Sequence, residues 1–467
     1  MSHIPKPLDS KGLPRLLLIL AVAFAFPSGR GMAQERQLPE TMPERARVPM
    51  YDPGQPIERK VLKNGVRLLV QEQRTSEKVA GVVALRMGTR YETEDESGVS
   101  QIVMRSLAAG TTRRNPAQMQ LELLAANATI ESSAGPDMGQ MSIATTREGT
   151  SKAIDLLADI VQNPSFPDTA FESARSYYLG KASDEMEAPI PSTYAIFLRT
   201  VYRGTPFERP AYGRLHSISE CRRSDVMALY RKLFVGGNLT VAFVGNFDGK
   251  KVMADLEKSF ATLPPGPPPT PPKAIEAPLA SDTTVTEERP FFAQSLAYGY
   301  PAPGYDDPDY PAFLVIDSYL RSGDRSPIAY WLPERHLATG VGVLYPRYPG
   351  RSSIAVYLGA LPTKWKAARD TVANVMGRLK TDQLDKGEWG VQIRRVQTGY
   401  FHDQTSPLIR ARDMSRYETQ GLSQDYPKEF ETRLLKLTPE DVRAAAGRWF
   451  THSCEVTLIP TQSGSRP

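Results

Sequence analysis

Residues 98–109 read Gly-Val-Ser-Gln-Ile-Val-Met-Arg-Ser-Leu-Ala-Ala. Apolar side chains recur here at intervals of three and four residues, which is the periodicity of an amphipathic α-helix. The members of this apolar stripe are Val99, Ile102, Val103 and Met104. The pattern predicts a helix on which two polar positions, Gln101 and Arg105, lie one turn apart.

Five shorter segments accompany this helix in a characteristic order. They are residues 62–66 (Leu-Lys-Asn-Gly-Val), 88–92 (Gly-Thr-Arg-Tyr-Glu), 170–181 (Ala-Phe-Glu-Ser-Ala-Arg-Ser-Tyr-Tyr-Leu-Gly-Lys), 210–214 (Pro-Ala-Tyr-Gly-Arg) and 238–246 (Asn-Leu-Thr-Val-Ala-Phe-Val-Gly-Asn). Lys181, the last residue of the third segment, follows Arg105 by 76 positions. No single segment is specific, but their order and spacing across residues 57–460 are.

In that order and spacing the segments resemble the pitrilysin/insulinase family of zinc metallopeptidases, which carry an inverted His-x-x-Glu-His motif on the corresponding helix. In that family the two His bind zinc, the Glu acts as general base, and a Glu on a later helix is the third ligand. The resemblance places the first His at Gln101, the general-base Glu at Met104 and the second His at Arg105. The Glu that is the third ligand falls at Lys181.

None of these side chains can do the work of the group it replaces. Zinc takes lone pairs from imidazole, thiolate or carboxylate, whereas Gln101 offers one weak amide oxygen and Arg105 stays protonated. Lys181 could donate only after losing its proton, and Met104 cannot accept a proton from water. We therefore expect a degenerate site with no catalytic residue and no metal, and zinc only in a catalytic partner.

An active zinc endopeptidase with displaced ligands is the alternative. The chain has five histidines, namely His3, His216, His336, His402 and His452. None lies three to five residues from another, so no second zinc helix can be built locally. The two cysteines, Cys221 and Cys454, lack a recognisable nucleophile motif, and the sequence leaves open whether they form a disulfide in an oxidising compartment.

Family members often hold their substrate with an Arg and a Tyr from the second half of the chain. The resemblance places these at Pro333 and Thr339, within residues 326–339. Arg335 and Tyr330 lie nearby, but a helical shift of two residues turns a side chain by about 200°. The substrate-binding positions are therefore also degenerate, which favours a structural role for this chain over a role in holding the substrate.

The N-terminus has the pattern of a secretory signal peptide over residues 1–33. A basic region precedes an apolar run at residues 16–26, which is short for a membrane span, and a small-x-Ala cleavage site follows at residues 31–33. An uncleaved anchor is the alternative, because Arg30 is unusual there. We expect a periplasmic or secreted protein, with no stable membrane insertion after cleavage and a mobile lead-in at residues 34–56.

Removal of residues 1–33 takes away four basic side chains and one acidic one, which lowers the formal charge from +5 to +2. A nearly neutral chain gives no support for nucleic-acid binding.

A proline-rich linker at residues 264–273 divides the chain into N-terminal and C-terminal pitrilysin-like domains at residues 57–263 and 274–461. The halves look duplicated, because Asp225 precedes Phe234 by nine residues and Asp441 precedes Phe450 by nine. Strand-like and helical periodicities alternate in both. We expect an α+β fold of two related α/β sandwich domains, each an antiparallel-rich sheet covered by helices, together forming half of a clamshell.

The expected function is that of a non-catalytic homologue of these peptidases, with peptides as the substrate class. Half a clamshell needs another half, so the partner is a zinc-bearing homologous subunit in a peptide-degrading or processing complex, or a second copy of this chain. A structural subunit of an envelope complex is a further alternative, since mitochondrial relatives of the family are core subunits of a respiratory complex.

Overall fold

The computed structural model describes residues 49–270 and 279–461, apart from positions 292, 322, 324, 325, 402 and 403. The predicted signal peptide, most of the lead-in, the end of the linker, His3 and His402 lie outside the described residues. None of the helices in the described ranges combines the length and the apolar character needed to cross a bilayer.

Six strands and eight α-helices are formed by the described residues 49–270 in the first half of the chain. The strands are β1 (Glu58–Val61), β2 (Arg67–Glu72), β3 (Lys78–Leu85), β4 (Thr129–Ala134), β5 (Gly139–Thr146) and β6 (Leu239–Gly245). The helices are α1 (Val99–Leu107), α2 (Pro116–Ala125), α3 (Thr150–Gln162), α4 (Asp168–Glu187), α5 (Pro189–Val201), α6 (Leu215–Glu220), α7 (Arg223–Leu233) and α8 (Gly249–Phe260). The strands form one sheet in the order β1-β2-β6-β3-β5-β4, in which only β2 and β6 pair in parallel.

The second half repeats this plan on a five-stranded sheet. Its strands are β7 (Thr283–Arg289), β8 (Gln294–Pro303), β9 (Gly340–Leu344), β10 (Arg351–Ala360) and β11 (Cys454–Pro460). Its helices are α9 (Tyr310–Arg321), α10 (Trp331–Glu334), α11 (Trp365–Arg378), α12 (Lys386–Phe401), α13 (Pro407–Gln420), α14 (Tyr426–Lys436) and α15 (Pro439–Trp449). The strand order is β7-β11-β8-β10-β9, with one parallel pair, β7 and β11. The expected α+β fold of two related, antiparallel-rich domains is confirmed.

The duplication is visible in how α7 and α15 begin. Asp225 and Asp441 each occupy the third helical position, where each carboxylate accepts a hydrogen bond from the N–H of the residue before its helix, at 2.8 Å. Such a carboxylate satisfies a backbone N–H that the helix leaves unpaired. Phe234 and Phe450 follow the two helices and are buried. The two Asp-to-Phe spacings therefore mark equivalent helices, each followed by a strand near the middle of its sheet.

The central strands of the first sheet are buried on both faces, which requires a cover on each side. One face packs against α1, α3, α7 and α8 in the main apolar core. The opposite face presents Leu69, Val82, Ala242 and Val244, and these contact Ala411 and Met414 of α13, a helix from the second half of the chain.

The second sheet is covered in the reciprocal way. One face of this sheet packs against helices of its own half. The other face contacts Ile196, Phe197 and Val201 of α5, a helix from the first half of the chain. Buried polar contacts reinforce this packing, since the Tyr202 hydroxyl donates to Ser353 Oγ at 3.0 Å. The boundaries at residues 57–263 and 274–461 stay a prediction, and each range contributes one helix to the other's sheet.

The two cysteines lie in different cores and are not bonded to each other. Cys221 belongs to the first core and Cys454 to the layer between α5 and the second sheet. Burial raises the pKa of each thiol to about 12. Because the thiolate is the reactive form, both side chains act as small apolar residues rather than as nucleophiles.

Candidate functional site

Helix α1 is held at its N-terminus by a buried carboxylate and a close backbone contact. Glu92 accepts hydrogen bonds from the N–H groups of Gly98, at 3.0 Å, and Ser100, at 2.8 Å. Burial raises the pKa of Glu92, and these hydrogen bonds offset part of that rise. Gly98 and Gly213 both adopt left-handed backbone, with φ of 94° and 98°. A Cβ on Gly213 would lie 2.5 Å from Gly98 Cα, so only glycine allows the two backbones to meet.

We expect Gly213→Ala to lower the free energy of unfolding by about 2–4 kcal/mol. The alanine would be strained in the left-handed backbone conformation, and its Cβ would clash with Gly98. Gly180→Ala on α4 is the matched control, since nothing lies within 4 Å of a Cβ there. That variant should gain up to about 1 kcal/mol from helix propensity. Urea unfolding measures both, and equal stability of the two variants would contradict this role of Gly213.

Gln101 ties α1 to its surroundings rather than presenting a ligand. Its amide nitrogen donates to the carbonyl oxygens of Ala134, at 2.9 Å, and Ala211, at 3.2 Å. A second link runs the other way, from Ser132 Oγ to the carbonyl oxygen of Met104 at 2.7 Å. These bonds fix α1 across the end of β4 and against the loop at residues 210–214.

Met104, at the position of the general base, points into the apolar core. Only 1% of its surface is exposed, and it packs among the side chains of the main core. A methionine here cannot take a proton from water, and its burial shows that the helix face that carries it is committed to packing.

Arg105 and Lys181 converge on one aromatic ring of α4, which packs on α1. The guanidinium carbon of Arg105 lies 3.7 Å from the centre of the Tyr177 ring, and Lys181 Nζ lies 5.7 Å from the same point. The structure thus brings together the positions of the second and third ligands. Tyr177 is not among the predicted site residues, but it stands one helical turn before Lys181, at a spacing that places side chains next to each other.

A cavity of about 320 Å³ opens beside Arg105. Its lining residues are Arg105, Ser132, Ala170, Ser173, Ala174 and Tyr178. Tyr178 stacks on Tyr212, with ring centres 6.4 Å apart. Burial raises the pKa of the Tyr178 hydroxyl, although Arg105 opposes the rise, so the hydroxyl stays a hydrogen-bond donor at neutral pH.

The residues at this site do not fit zinc. The amide nitrogen of Gln101 donates to backbone carbonyls, and the other two ligand positions, Arg105 and Lys181, carry positive charges. At about 4 Å and an effective dielectric near 20, each cation would repel a divalent ion by about 8 kcal/mol. Elsewhere in the described ranges, no group of three or more His, Cys, Asp or Glu side chains is placed to hold a metal ion.

The substrate-binding positions of the second half lie apart from this cavity. Thr339 uses its backbone N–H and its hydroxyl to bond the carbonyl oxygen of Gly359, at 2.8 and 3.1 Å. Pro333 is exposed within α10 and offers no donor. The possible replacements are engaged with Trp331, since Arg335 lies 5.1 Å from its ring centre and Tyr330 packs edge-on at 5.2 Å. None of these residues lines the cavity at Arg105.

Comparison with known protein families gives two adjoining matches. Residues 67–213 match the family described as Insulinase (Peptidase family M16). Residues 221–395 match the domain described as Peptidase M16 inactive domain.

Two relatives illustrate the sequence similarity. An uncharacterized zinc protease of Rickettsia felis is 26% identical over 205 residues, which cover 44% of this chain and 50% of that protein. The mitochondrial-processing peptidase subunit beta of Lentinula edodes is 22% identical over 279 residues, which cover 57% of this chain and 58% of that protein. The chain therefore spans little more than half the length of these relatives.

Two solved structures share the fold. A protease from Helicobacter pylori superposes with a TM-score of 0.78 at 19% identity, over 87% of this chain and 100% of that one. A peptidase M16 inactive domain from Pseudomonas fluorescens superposes with a TM-score of 0.77, also at 19% identity, over 87% of this chain and 98% of that one.

Proposed function

Since the chain belongs to the insulinase family of peptidases, family M16, we propose that it is a non-catalytic member that binds unfolded peptides and acts as the partner subunit of a zinc-bearing homologue. A second copy of the chain is the other candidate partner. The proposed setting is a peptide-degrading or processing complex in the periplasm or outside the cell, for which the signal-peptide pattern at residues 1–33 is the support.

The observation that carries this proposal is the chemistry at the former zinc positions. Gln101 is bonded to backbone carbonyls, Arg105 and Lys181 are cations gathered on Tyr177, and the general-base position is a buried Met. Each of the four departures alone would weaken hydrolysis. Together they remove the ligands and the base while the helix that carried them is kept and firmly anchored.

Peptide binding is supported by the free outer edge of β4. This strand is last in its sheet and pairs only with β5 among the described strands. Its side chains alternate between exposed and half-buried positions, so an extended peptide could add alongside it through main-chain hydrogen bonds. Ser132 of β4 lines the cavity beside Arg105, which places that edge next to the site.

Assembly with a homologue is supported by the kind of protein the chain resembles. One relative is named as a subunit, the beta subunit of a mitochondrial-processing peptidase. In the proposed complex, this chain supplies one pair of domains and the wall of a chamber, and the partner supplies another pair together with the zinc.

Purification of the tagged protein from its native host tests the proposal, with peptide cleavage measured on the recovered material with and without a zinc chelator. We expect the chain to be recovered with a homologue that has an intact His-x-x-Glu-His motif, or as a dimer, and we expect cleavage only when the homologue is present. Recovery as a monomer alone, or chelator-sensitive cleavage by the pure chain, would contradict it.

A further inference from the structure

The two cations at the site, Arg105 and Lys181, both contact the Tyr177 ring. Among the described residues, no carboxylate forms an ion pair with either of them. Two acids of α4 and β4 are engaged elsewhere, since Glu172 pairs with Arg175 and Glu131 with Arg412, each at 2.7 Å.

The next acids along α4, Asp184 and Glu185, form no ion pair with Lys181 among the described residues either. Burial raises the pKa of the Glu185 carboxyl group. Two positive charges therefore lie close to one ring, with no ion-pair partner among the described residues. Such an arrangement is unfavourable in isolation and is relieved by an anion from outside.

The hydrogen-bonding groups of Arg105 are available to a ligand. Its guanidinium lies against the Tyr177 ring and donates no hydrogen bond to another described residue, so its fork of N–H groups is unused. A fork of this kind matches the two oxygens of a carboxylate. Ser173 and Tyr178 line the same cavity, and their hydroxyls add neutral donors.

The aromatic wall favours an organic anion over a bare ion. Tyr177 and Tyr212 are 41% and 38% exposed, and with Tyr178 they form a continuous set of rings next to the cations. Exposed rings of this kind contact the apolar part of a residue, while the cations contact its charge.

We propose that Arg105, Lys181 and Tyr178 form a receptor for a carboxylate group of a bound peptide, supplied by its C-terminus or by an acidic side chain. This inference rests on the proposed function, because it takes the ligand to be a peptide lying along β4. Positive side chains thus stand where the family has a positive zinc ion. They attract an anionic group as zinc would, but they supply neither a Lewis acid nor a general base.

Binding of a short fluorescent peptide, followed by anisotropy, tests the proposal. Four versions of one unstructured sequence combine a free or amidated C-terminus with an internal Glu or Gln. We expect versions with the recognised carboxylate to bind about tenfold more tightly than the fully neutral one, with the preference reduced by added salt. Comparison of the two singly charged versions identifies which source supplies the group.

Substitution locates the preference. Arg105→Met and Lys181→Met should each remove most of this preference for the charged peptide over the neutral one. Lys258→Met is the control, since it removes an exposed positive charge of α8 in the same half of the chain. Arg105→Lys, which keeps the charge but loses the fork, should retain part of the preference. Unchanged melting curves would show that the variants fold.

The outcomes separate this inference from the proposed function. If the neutral peptide binds as tightly as the charged ones, or if the preference survives both Met substitutions, the carboxylate receptor is wrong while peptide binding stands. If no version binds, both proposals fail.

Discussion

A variant with Gln101→His, Arg105→His and Lys181→Glu is expected to bind one zinc ion per chain, with a dissociation constant below about 1 μM, or more than about 8 kcal/mol of binding free energy. Two imidazoles one helical turn apart are a common zinc-binding pair. The third ligand would come from α4, because Arg105 and Lys181 already reach the same ring.

This variant should bind zinc without gaining peptidase activity. Met104 stays in the core, so no general base stands beside the metal. The change also gives up the hydrogen bonds of Gln101 to Ala134 and Ala211, at a cost of about 1 kcal/mol each. That cost is small beside the expected gain from coordination.

Isothermal titration with zinc, followed by metal analysis after desalting, measures the effect. The control is Lys181→Glu alone, which adds the carboxylate without either imidazole and should bind no stoichiometric zinc. A folded triple variant that takes up no more zinc than this control would show that positions 101, 105 and 181 are not the former ligand positions.

The first half of the chain, residues 49–270, is expected not to fold stably by itself. Without α13, the face formed by Leu69, Val82, Ala242 and Val244 loses its cover. Burial of a Val or Leu side chain contributes about 1.5–3 kcal/mol to the free energy of unfolding. The combined contribution of Leu69, Val82 and Val244 therefore approaches the whole stability of an ordinary domain, which is about 5–15 kcal/mol. Helix α5 would in turn expose Phe197, which is fully buried in the intact chain.

We expect this fragment to bind a hydrophobic dye and to show no cooperative thermal transition. Mixing it with the fragment of residues 279–461 should restore a transition, because each fragment carries the helix that covers the other's sheet. A soluble monomeric first half that melts cooperatively near the temperature of the intact chain would contradict the exchanged packing.

Much of the local structure follows from sequence periodicity. The predicted helix at residues 98–109 forms as α1, with its apolar stripe buried, and the paired Asp225 and Asp441 mark equivalent helices. These features depend on side chains a few residues apart, which a single sequence displays directly. The family resemblance is likewise confirmed by the matches over residues 67–213 and 221–395.

The exchange of α5 and α13 could not be predicted in the same way. An amphipathic pattern shows that one face of a helix is buried, but not which sheet buries it. Nothing near Phe197 or Met414 in the chain identifies a partner more than 50 residues away. The stacking of Arg105 on Tyr177 was missed for a related reason, since the contact joins two helices separated by 60 residues of chain.

The zinc content of the unmodified protein decides whether the site is degenerate. The chain would be loaded with excess zinc, desalted and analysed for metal by mass spectrometry. We expect no stoichiometric zinc, because an amide and two cations occupy the ligand positions. One zinc ion per chain, lost when Gln101 is replaced by Ala and accompanied by chelator-sensitive peptide cleavage, would contradict the assignment of this protein as a non-catalytic member of its family.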